Sequence, residues 1–225
     1  MAKFSKPDGA LFTQISSGIY RGKKLALPAL SSTRSTKSIV KGSFFDTWRA
    51  ELRGAAFIEC FGGSGAMALE ALSNGAKNVY AIEKDAAAHK IMRKNFELFG
   101  LGANAILGDC FERLPEILHD LQANMNECSA VNLSESQTVN SNENSVTDPA
   151  RRVFVYLDPP FAIRQGFGEI YERVLALIAR LGSAQCELLI AIEHMSELEL
   201  PPKIGDFALL KSRKFGATTM SYYVK

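Results

Sequence analysis

Five short apolar runs, at residues 55–60, 78–82, 105–107, 153–157 and 188–192, constrain this chain more than any other feature. An apolar run of that length reads as a strand buried on both faces. Stretches with helical spacing stand between them, at 66–73, 86–99, 114–121 and 168–181. Strands alternating with helices imply a parallel sheet covered on both sides. Two last segments, 207–213 and 219–224, can pair as a terminal antiparallel hairpin. The expected fold is therefore α/β and Rossmann-like, with a mostly parallel sheet. A chain of 225 residues has room for one such domain and a modest extension.

Open sheets of this kind bind ligands beyond the carboxyl ends of their strands, so the residues that follow each run matter most. The first run leads into Phe61-Gly62-Gly63-Ser64-Gly65, and Gly63 to Ala68 fits Gly-x-Gly-x-x-Ala. Glu83 closes the second run. Glycines let the backbone come close to a ligand, while a carboxylate at that place accepts hydrogen bonds from a ribose diol. A nicotinamide dinucleotide and S-adenosylmethionine satisfy this pattern equally. The third run ends in Gly108-Asp109-Cys110, an acidic group where an adenine amino group could be held.

The fourth run ends in Asp158-Pro159-Pro160-Phe161. Prolines stiffen the loop and offer no N–H. What remains is an acceptor-only carboxylate, two backbone carbonyls and an aromatic face. That set suits a second planar amino group, held by its N–H bonds and stacked on a ring. A dehydrogenase has no evident use for such a site, whereas an amino methyltransferase does.

The net charge of +2 conceals an asymmetry. Residues 1–41 hold Lys3, Lys6, Arg21, Lys23, Lys24, Arg34, Lys37 and Lys41 against Asp8 alone. A basic arm on a near-neutral body is what a phosphate backbone requires. Within it, 15–25 alternates around Gly18 and Gly22 as a β-hairpin does, and Ser31 to Thr36 is turn-prone and able to cap a helix. From 38 to 52, Val40, Phe44, Trp48 and Leu52 recur every four residues, widened by Ile39 and Phe45, which makes an amphipathic helix ended by Gly54. The domain division expected is a basic arm over 1–37 and a catalytic domain over 38–225. Residues 122–150, rich in Asn, Ser, Glu and Thr, are expected to form a flexible insertion. Cys60, Cys110, Cys128 and Cys186 are scattered and read as reduced thiols. With only His89, His119 and His194 present, no metal site is expected. The absence of a hydrophobic leader core at residues 1–11 points to the cytoplasm.

With these residues assembled, the chain resembles the RsmD family, bacterial guanine-N2 methyltransferases of small-subunit (16S) ribosomal RNA. The likeness covers nearly everything outside 122–150. It is carried by Ser17 to Leu25 with Tyr20, Arg21, Lys23 and Lys24, by Arg34-Ser35-Thr36 and by the 61–65 loop. It continues through 69–76 (Leu-Glu-Ala-Leu-Ser-Asn-Gly-Ala), Glu83-Lys84-Asp85, the Asp-Pro-Pro-Phe motif and Lys214 to Thr218. The family usually has Asp-Leu-Phe where this chain has Glu59-Cys60-Phe61, Arg-Pro-Thr in place of Arg34-Ser35-Thr36, and Tyr in place of Phe161.

The resemblance implies a class I S-adenosylmethionine-dependent methyltransferase fold and a definite set of site residues. S-adenosylmethionine is expected against Glu59, Phe61, Gly62, Gly63, Ser64, Gly65, Glu83, Lys84, Asp109 and Cys110, with Glu83 at the ribose and Asp109 at the adenine. Asp158 and the Pro159 carbonyl, followed by Pro160, would accept the N–H bonds of the target guanine, and Phe161 would stack on it. A guanine inside a stack cannot reach such a pocket unless it is unpaired or flipped out. Tyr20, Arg21, Lys23, Lys24 and Arg34 would hold the RNA. The partner implied is 16S ribosomal RNA in an assembling subunit, and nothing in the sequence demands more than a monomer. The Asp-Pro-Pro-aromatic motif alone also occurs in DNA adenine and protein glutamine methyltransferases. An oxidoreductase and a non-catalytic RNA-binding module are the readings from other classes.

Overall fold

The computed structural model describes residues 11–28, 34–135, 148–160, 167–184 and 186–225. Phe161, Lys3 and Lys6 lie outside them, and of Arg34 the backbone alone is described. An antiparallel hairpin comes first, β1 (Phe12–Gln14) with β2 (Lys24–Ala26). Then follow α1 (Arg34–Leu52), β3 (Ala56–Cys60), α2 (Ala66–Ser73), β4 (Asn78–Glu83), α3 (Ala86–Glu97), β5 (Ala105–Leu107) and α4 (Cys110–Glu135). The remainder is β6 (Arg152–Leu157), α5 (Phe167–Arg180), β7 (Glu187–Met195), β8 (Lys203–Ile204), β9 (Phe207–Phe215) and β10 (Thr218–Val224).

The main sheet has eight strands in the order β5-β4-β3-β6-β7-β10-β9-β8. From β5 to β7 the strands run parallel, and the terminal hairpin adds antiparallel partners beyond β7. The register aligns the strand ends. Cys60 pairs with both Ile82 and Leu157, Glu83 with Leu107, and Leu157 with Ile192. The loops that follow β3, β4, β5, β6 and β7 therefore leave from one edge at nearly one level. Strand order reverses between β3 and β6, the switch point at which open α/β sheets form their ligand crevice.

Each face of the sheet buries its own core. Under α1, α2 and α3 lie Phe44, Phe45, Trp48, Phe57, Phe154, Tyr156 and Tyr222. Phe44 sits at the centre, with ring centroids 5.8 Å from Phe57 and 5.7 Å from Tyr156. Such edge contacts contribute about 0.5–1.5 kcal/mol each beyond simple burial. The other face packs Ile58, Val155, Leu157 and Ile190 against Leu114 and Leu118 of α4 and Val174 and Leu177 of α5. Those helical positions recur at three- and four-residue spacing, which is why each helix presents one apolar stripe.

Several boundaries differ from the sequence reading. Ile39 does not widen the α1 stripe, since it is exposed. α1 starts at Arg34, so Arg34, Ser35 and Thr36 of the expected turn already belong to its first turn, and Ser31 to Thr33 lie outside the described residues. β8 was not anticipated. α4 does not end at Leu121 but continues to Glu135, so the first part of the expected insertion is helical. A helix anchored by Leu114, Ile117, Leu118 and Leu121 propagates cheaply into a polar segment, because only nucleation is costly. Residues 136–147 lie outside those described. Among the described residues no helix is long and apolar enough to cross a membrane.

Candidate active site

The loop after β3 is held in an unusual backbone path. Phe61 is the one non-glycine residue with positive φ among those described (59°), and Gly63 (53°) and Gly65 (73°) share the left-handed region. For an aromatic side chain this costs roughly 1–2 kcal/mol, the kind of strain that gathers at functional loops. The glycines have separate reasons. A Cβ on Gly65 would meet the Phe96 ring at 2.4 Å, and one on Gly62 would meet Met92 Sδ at 2.9 Å, so both allow the loop to pack on α3. A Cβ on Gly63 would meet nothing within 4 Å. That side of the loop faces open space at the switch point, as a cradle for a ligand must.

Carboxylates from neighbouring strands hold the loop. Glu59, which is buried, accepts a hydrogen bond from Ala68 N at 2.9 Å and so satisfies the first turn of α2. Glu83 accepts from Gly63 N (2.8 Å) through one oxygen and from Asp85 N (2.7 Å) through the other. Each oxygen retains a lone pair, so the carboxylate can still accept from a diol. Asp85 caps α3 by accepting from Ala88 N at 2.8 Å. Ser64 is buried and lends its carbonyl to Asn95 Nδ2.

Asp109 stands at the head of α4 and accepts from Phe111 N at 3.1 Å. Lys84 Nζ lies 3.2 Å from its other oxygen and Arg173 Nη2 3.5 Å away. Burial pushes this carboxyl up, but the Phe111 N–H together with Lys84 and Arg173 outweighs it and holds Asp109 below its ordinary value. The Arg173 guanidinium rests 3.9 Å from the Phe111 ring centroid, and Phe111 meets Phe61 edge-on at 6.1 Å. Sequence reasoning missed Phe111 and Arg173, which together with Phe61 wall this side of the crevice. Phe111 follows the acidic loop by two residues, which was a signal; Arg173 lies on α5 and gave none. The Cys110 side chain points the other way, into the core, where it contacts Cys60. The hydrogen bond that the Cys60 thiol makes to Cys110, and then burial, push Cys60 well up, so this thiol is an inert part of the packing.

Asp158 and Pro159 continue β6 into the crevice, the first half-buried and the second buried, while Pro160 is exposed. Behind Asp158 lies a polar pair that the sequence did not announce. The Tyr156 hydroxyl donates to Glu193 Oε2 at 2.6 Å, with both side chains buried. Burial, then the charges of Glu193 and Asp158, push the phenol well above its ordinary value and keep it a neutral donor.

The tip of the basic arm docks at the far end of α2 from the glycine loop, while its second strand reaches that loop, because Asn95 bonds both Ala26 and the Ser64 carbonyl. Ile19 N and Tyr20 N bond to the carbonyl and hydroxyl oxygens of Ser73, the last residue of α2, whereas the glycine loop lies at that helix's first turn. A Cβ on Gly18 would lie 1.8 Å from Ser73 O, so only glycine fits there. Glu70, wholly buried, accepts from Ser16 N, Ser16 Oγ, Ser17 N and Ser17 Oγ, and forms an ion pair with Lys41 at 2.8 Å. Burial alone would raise its pKa, but Lys41 and the Ser16 donors lower it below the ordinary value. Two of the expected RNA contacts are engaged within the chain. Tyr20 packs edge-on against Phe99 at 4.9 Å, and Lys23 donates to Leu98 O while lying 4.1 Å from the Phe99 ring centroid. Arg21 and Lys24 are exposed.

A parallel body with its switch point between β3 and β6, closed by an antiparallel strand pair and carrying a glycine loop after its first strand, is the class I S-adenosylmethionine-dependent methyltransferase fold. Comparison with known proteins is in keeping with that architecture. The chain belongs to the family described as conserved hypothetical protein 95, whose model matches residues 13–117 and 108–224. It is 26% identical over 212 residues to the ribosomal RNA small subunit methyltransferase D of Escherichia coli K12, covering 93% of this chain and 88% of that one. This upholds the RsmD resemblance drawn from the motifs. The solved structure of E. coli yhhF superposes with a TM-score of 0.65 at 23% identity, covering 95% of this chain and 98% of that one. The Thermus thermophilus 16S rRNA N2 G1207 methyltransferase, solved with AdoMet and guanosine, shares the fold with a TM-score of 0.60 at 15% identity, over 96% of this chain and 50% of that one.

Proposed function

We propose that this protein transfers a methyl group from S-adenosylmethionine to the exocyclic N2 amino group of a guanine in 16S ribosomal RNA, acting in the cytoplasm on an assembling small subunit. The observation that carries the reading is the meeting of two motifs at one switch point: the open glycine loop after β3 and Asp158-Pro159-Pro160 after β6. The name borne by the E. coli relative supports the RNA substrate.

The residues fit the cofactor. Gly63 leaves its outer side clear, Glu83 keeps lone pairs for the ribose hydroxyls, and Asp109 stays ionised to accept from the adenine amino group. When bound, S-adenosylmethionine supplies an electrophilic methyl group. The chain's own part is orientation. A guanine amino nitrogen is a weak nucleophile because its lone pair is delocalised into the ring. Asp158 and the Pro159 carbonyl accept its two N–H bonds and turn the lone pair out of the ring plane. Phe161 would supply the stacking face. The Tyr156–Glu193 pair stiffens the floor beneath Asp158. Holding the reactants this way supplies most of the rate.

The test is transfer of radiolabelled methyl groups to small subunits from cells lacking this gene, followed by nucleoside digestion. Label in N2-methylguanosine is expected from the wild type. Asp158→Ala should lose at least about 100-fold in turnover while still binding S-adenosylmethionine. A wild-type level of transfer by that variant would refute the mechanism, and label in DNA or protein alone would refute the substrate.

A further inference from the structure

We infer that the end of β9, through Lys211, Arg213 and Lys214, is the surface that grips RNA phosphates beside the target nucleotide. This rests on the proposed RNA substrate and deepens it by naming where that RNA lies. The sequence reading gave the role to the N-terminal arm, and the fold gives a reason to look elsewhere.

The register carries the argument. Arg213 pairs with Met220, and Met220 pairs with Glu193. Glu193 is one residue past Ile192, the partner of Leu157, and Asp158 is one residue past Leu157. Asp158, Glu193, Met220 and Arg213 thus form a single row across β6, β7, β10 and β9. Three strand spacings separate its ends, about 14 Å. A base seated at Asp158 has the backbone of its neighbouring nucleotides within that reach. The arm's tip is fixed at the opposite end of α2 from the glycine loop, with Tyr20 and Lys23 spent on Phe99.

The cations on β9 are presented rather than neutralised. Arg213 donates through Nη1 to two neutral hydroxyls of α1, Ser43 Oγ at 2.9 Å and Thr47 Oγ1 at 3.1 Å. That grip fixes the guanidinium plane and leaves its charge uncompensated. Lys211 extends over Trp48, 4.4 Å from the ring centroid, and Lys214 is exposed at the strand's end. Among the described residues no carboxylate forms an ion pair with any of the three, whereas the exposed Arg49 on α1 is already paired with Asp46. Lys211 and Arg213 share the face of the strand that meets α1, Lys214 projects from the other at its end, and a preorganised guanidinium in that place suits phosphate oxygens, which it can bind by two donors at once.

The experiment measures binding of full-length protein to deproteinised 16S ribosomal RNA across a salt series, with S-adenosylmethionine affinity as the folding control. Lys211→Met, Arg213→Gln and Lys214→Gln combined should weaken binding at least about tenfold at low salt. They should also reduce the slope of log K against log salt by about 2–3, since each lost phosphate contact removes roughly 0.7–0.9. Arg21→Gln with Lys24→Gln should change the slope less. If the triple variant loses S-adenosylmethionine affinity, Lys214→Glu decides: its side chain is exposed, and it should still weaken RNA binding. An unchanged slope and affinity would overturn the inference while leaving the methyl-transfer reading intact. So would RNA affinity that survives in a variant unable to methylate intact subunits, because the strand would then engage a protein. Failure of the wild type to bind or methylate ribosomal RNA would instead remove the underlying reading.

Discussion

The dock of the basic arm and the edge of the parallel sheet both use a carboxylate to hold a loop, and they use it to different ends. Glu70 is buried completely, and five donors from Ser16, Ser17 and Lys41 converge on it. Nothing in that arrangement is left for a ligand. Glu83 is half-buried, takes two backbone N–H groups and faces a loop whose glycine opens onto free space. The left-handed glycines differ in the same way. Gly18 is pressed against backbone, whereas Gly63 has nothing within 4 Å of its missing Cβ. A polar group consumed by its own chain builds architecture. One whose capacity is only partly used, at an open switch point, is placed for chemistry.

Substitutions can break this contrast on either side. The largest stability loss is expected from Glu70→Ala, roughly 3–5 kcal/mol in denaturant melts, because it strands the nearly buried Lys41. Gly18→Ala should cost about 2–4 kcal/mol, from the clash with Ser73 O and the φ of +79°. Proteolysis within 11–28 should rise in parallel. On the other side, Glu83→Ala should weaken S-adenosylmethionine about tenfold by calorimetry, with a smaller effect on melting. Gly63→Ala should cost only about 1–2 kcal/mol of stability, from its φ of +53°, yet impair cofactor binding more than Gly18→Ala does. Equal cofactor losses from the two alanines would erase the distinction drawn here.

Acid offers a finer probe. The Glu70 carboxyl is lowered in the folded protein from an ordinary value of 4.5. Its contribution to stability is therefore complete above that value and disappears as pH falls through the depressed folded value. Hydrogen exchange at the Ser16 and Ser17 amides should accelerate over that acidic window. Glu70→Gln should flatten the dependence.

Much of this was legible in the chain, and what was not has physical causes. The parallel strands could be read because a strand buried on both faces has a continuous apolar sequence, whereas their order in the sheet could not. The glycine loop, Glu83 and Asp158 were legible because they follow such strands directly. The arm dock was not, since Glu70 meets Ser16 across 54 residues and Lys41 across 29, contacts that no local pattern records. The RsmD resemblance included both segments without showing that they touch. Tyr20 and Lys23 were read as RNA ligands from the RsmD resemblance and the arm's charge, and Phe99, the ring they share, gave no hint of their packing. Asp109 was read for its charge; that it also heads α4 depended on a helix beginning four residues earlier than its apolar spacing indicated. The length of α4 was hidden because its polar continuation has no apolar period of its own.

The central claim is that the switch-point crevice between β3 and β6 holds S-adenosylmethionine and that the arm dock does not. Titrating isotopically labelled protein with S-adenosylmethionine and following backbone amide resonances tests it directly. The account predicts saturable shifts at Gly63, Ser64, Glu83 and Asp109, with Ser16, Ser17 and Ser73 unmoved. Shifts centred on the arm and α2's last turn, or none at the glycine loop at saturating cofactor, would contradict it.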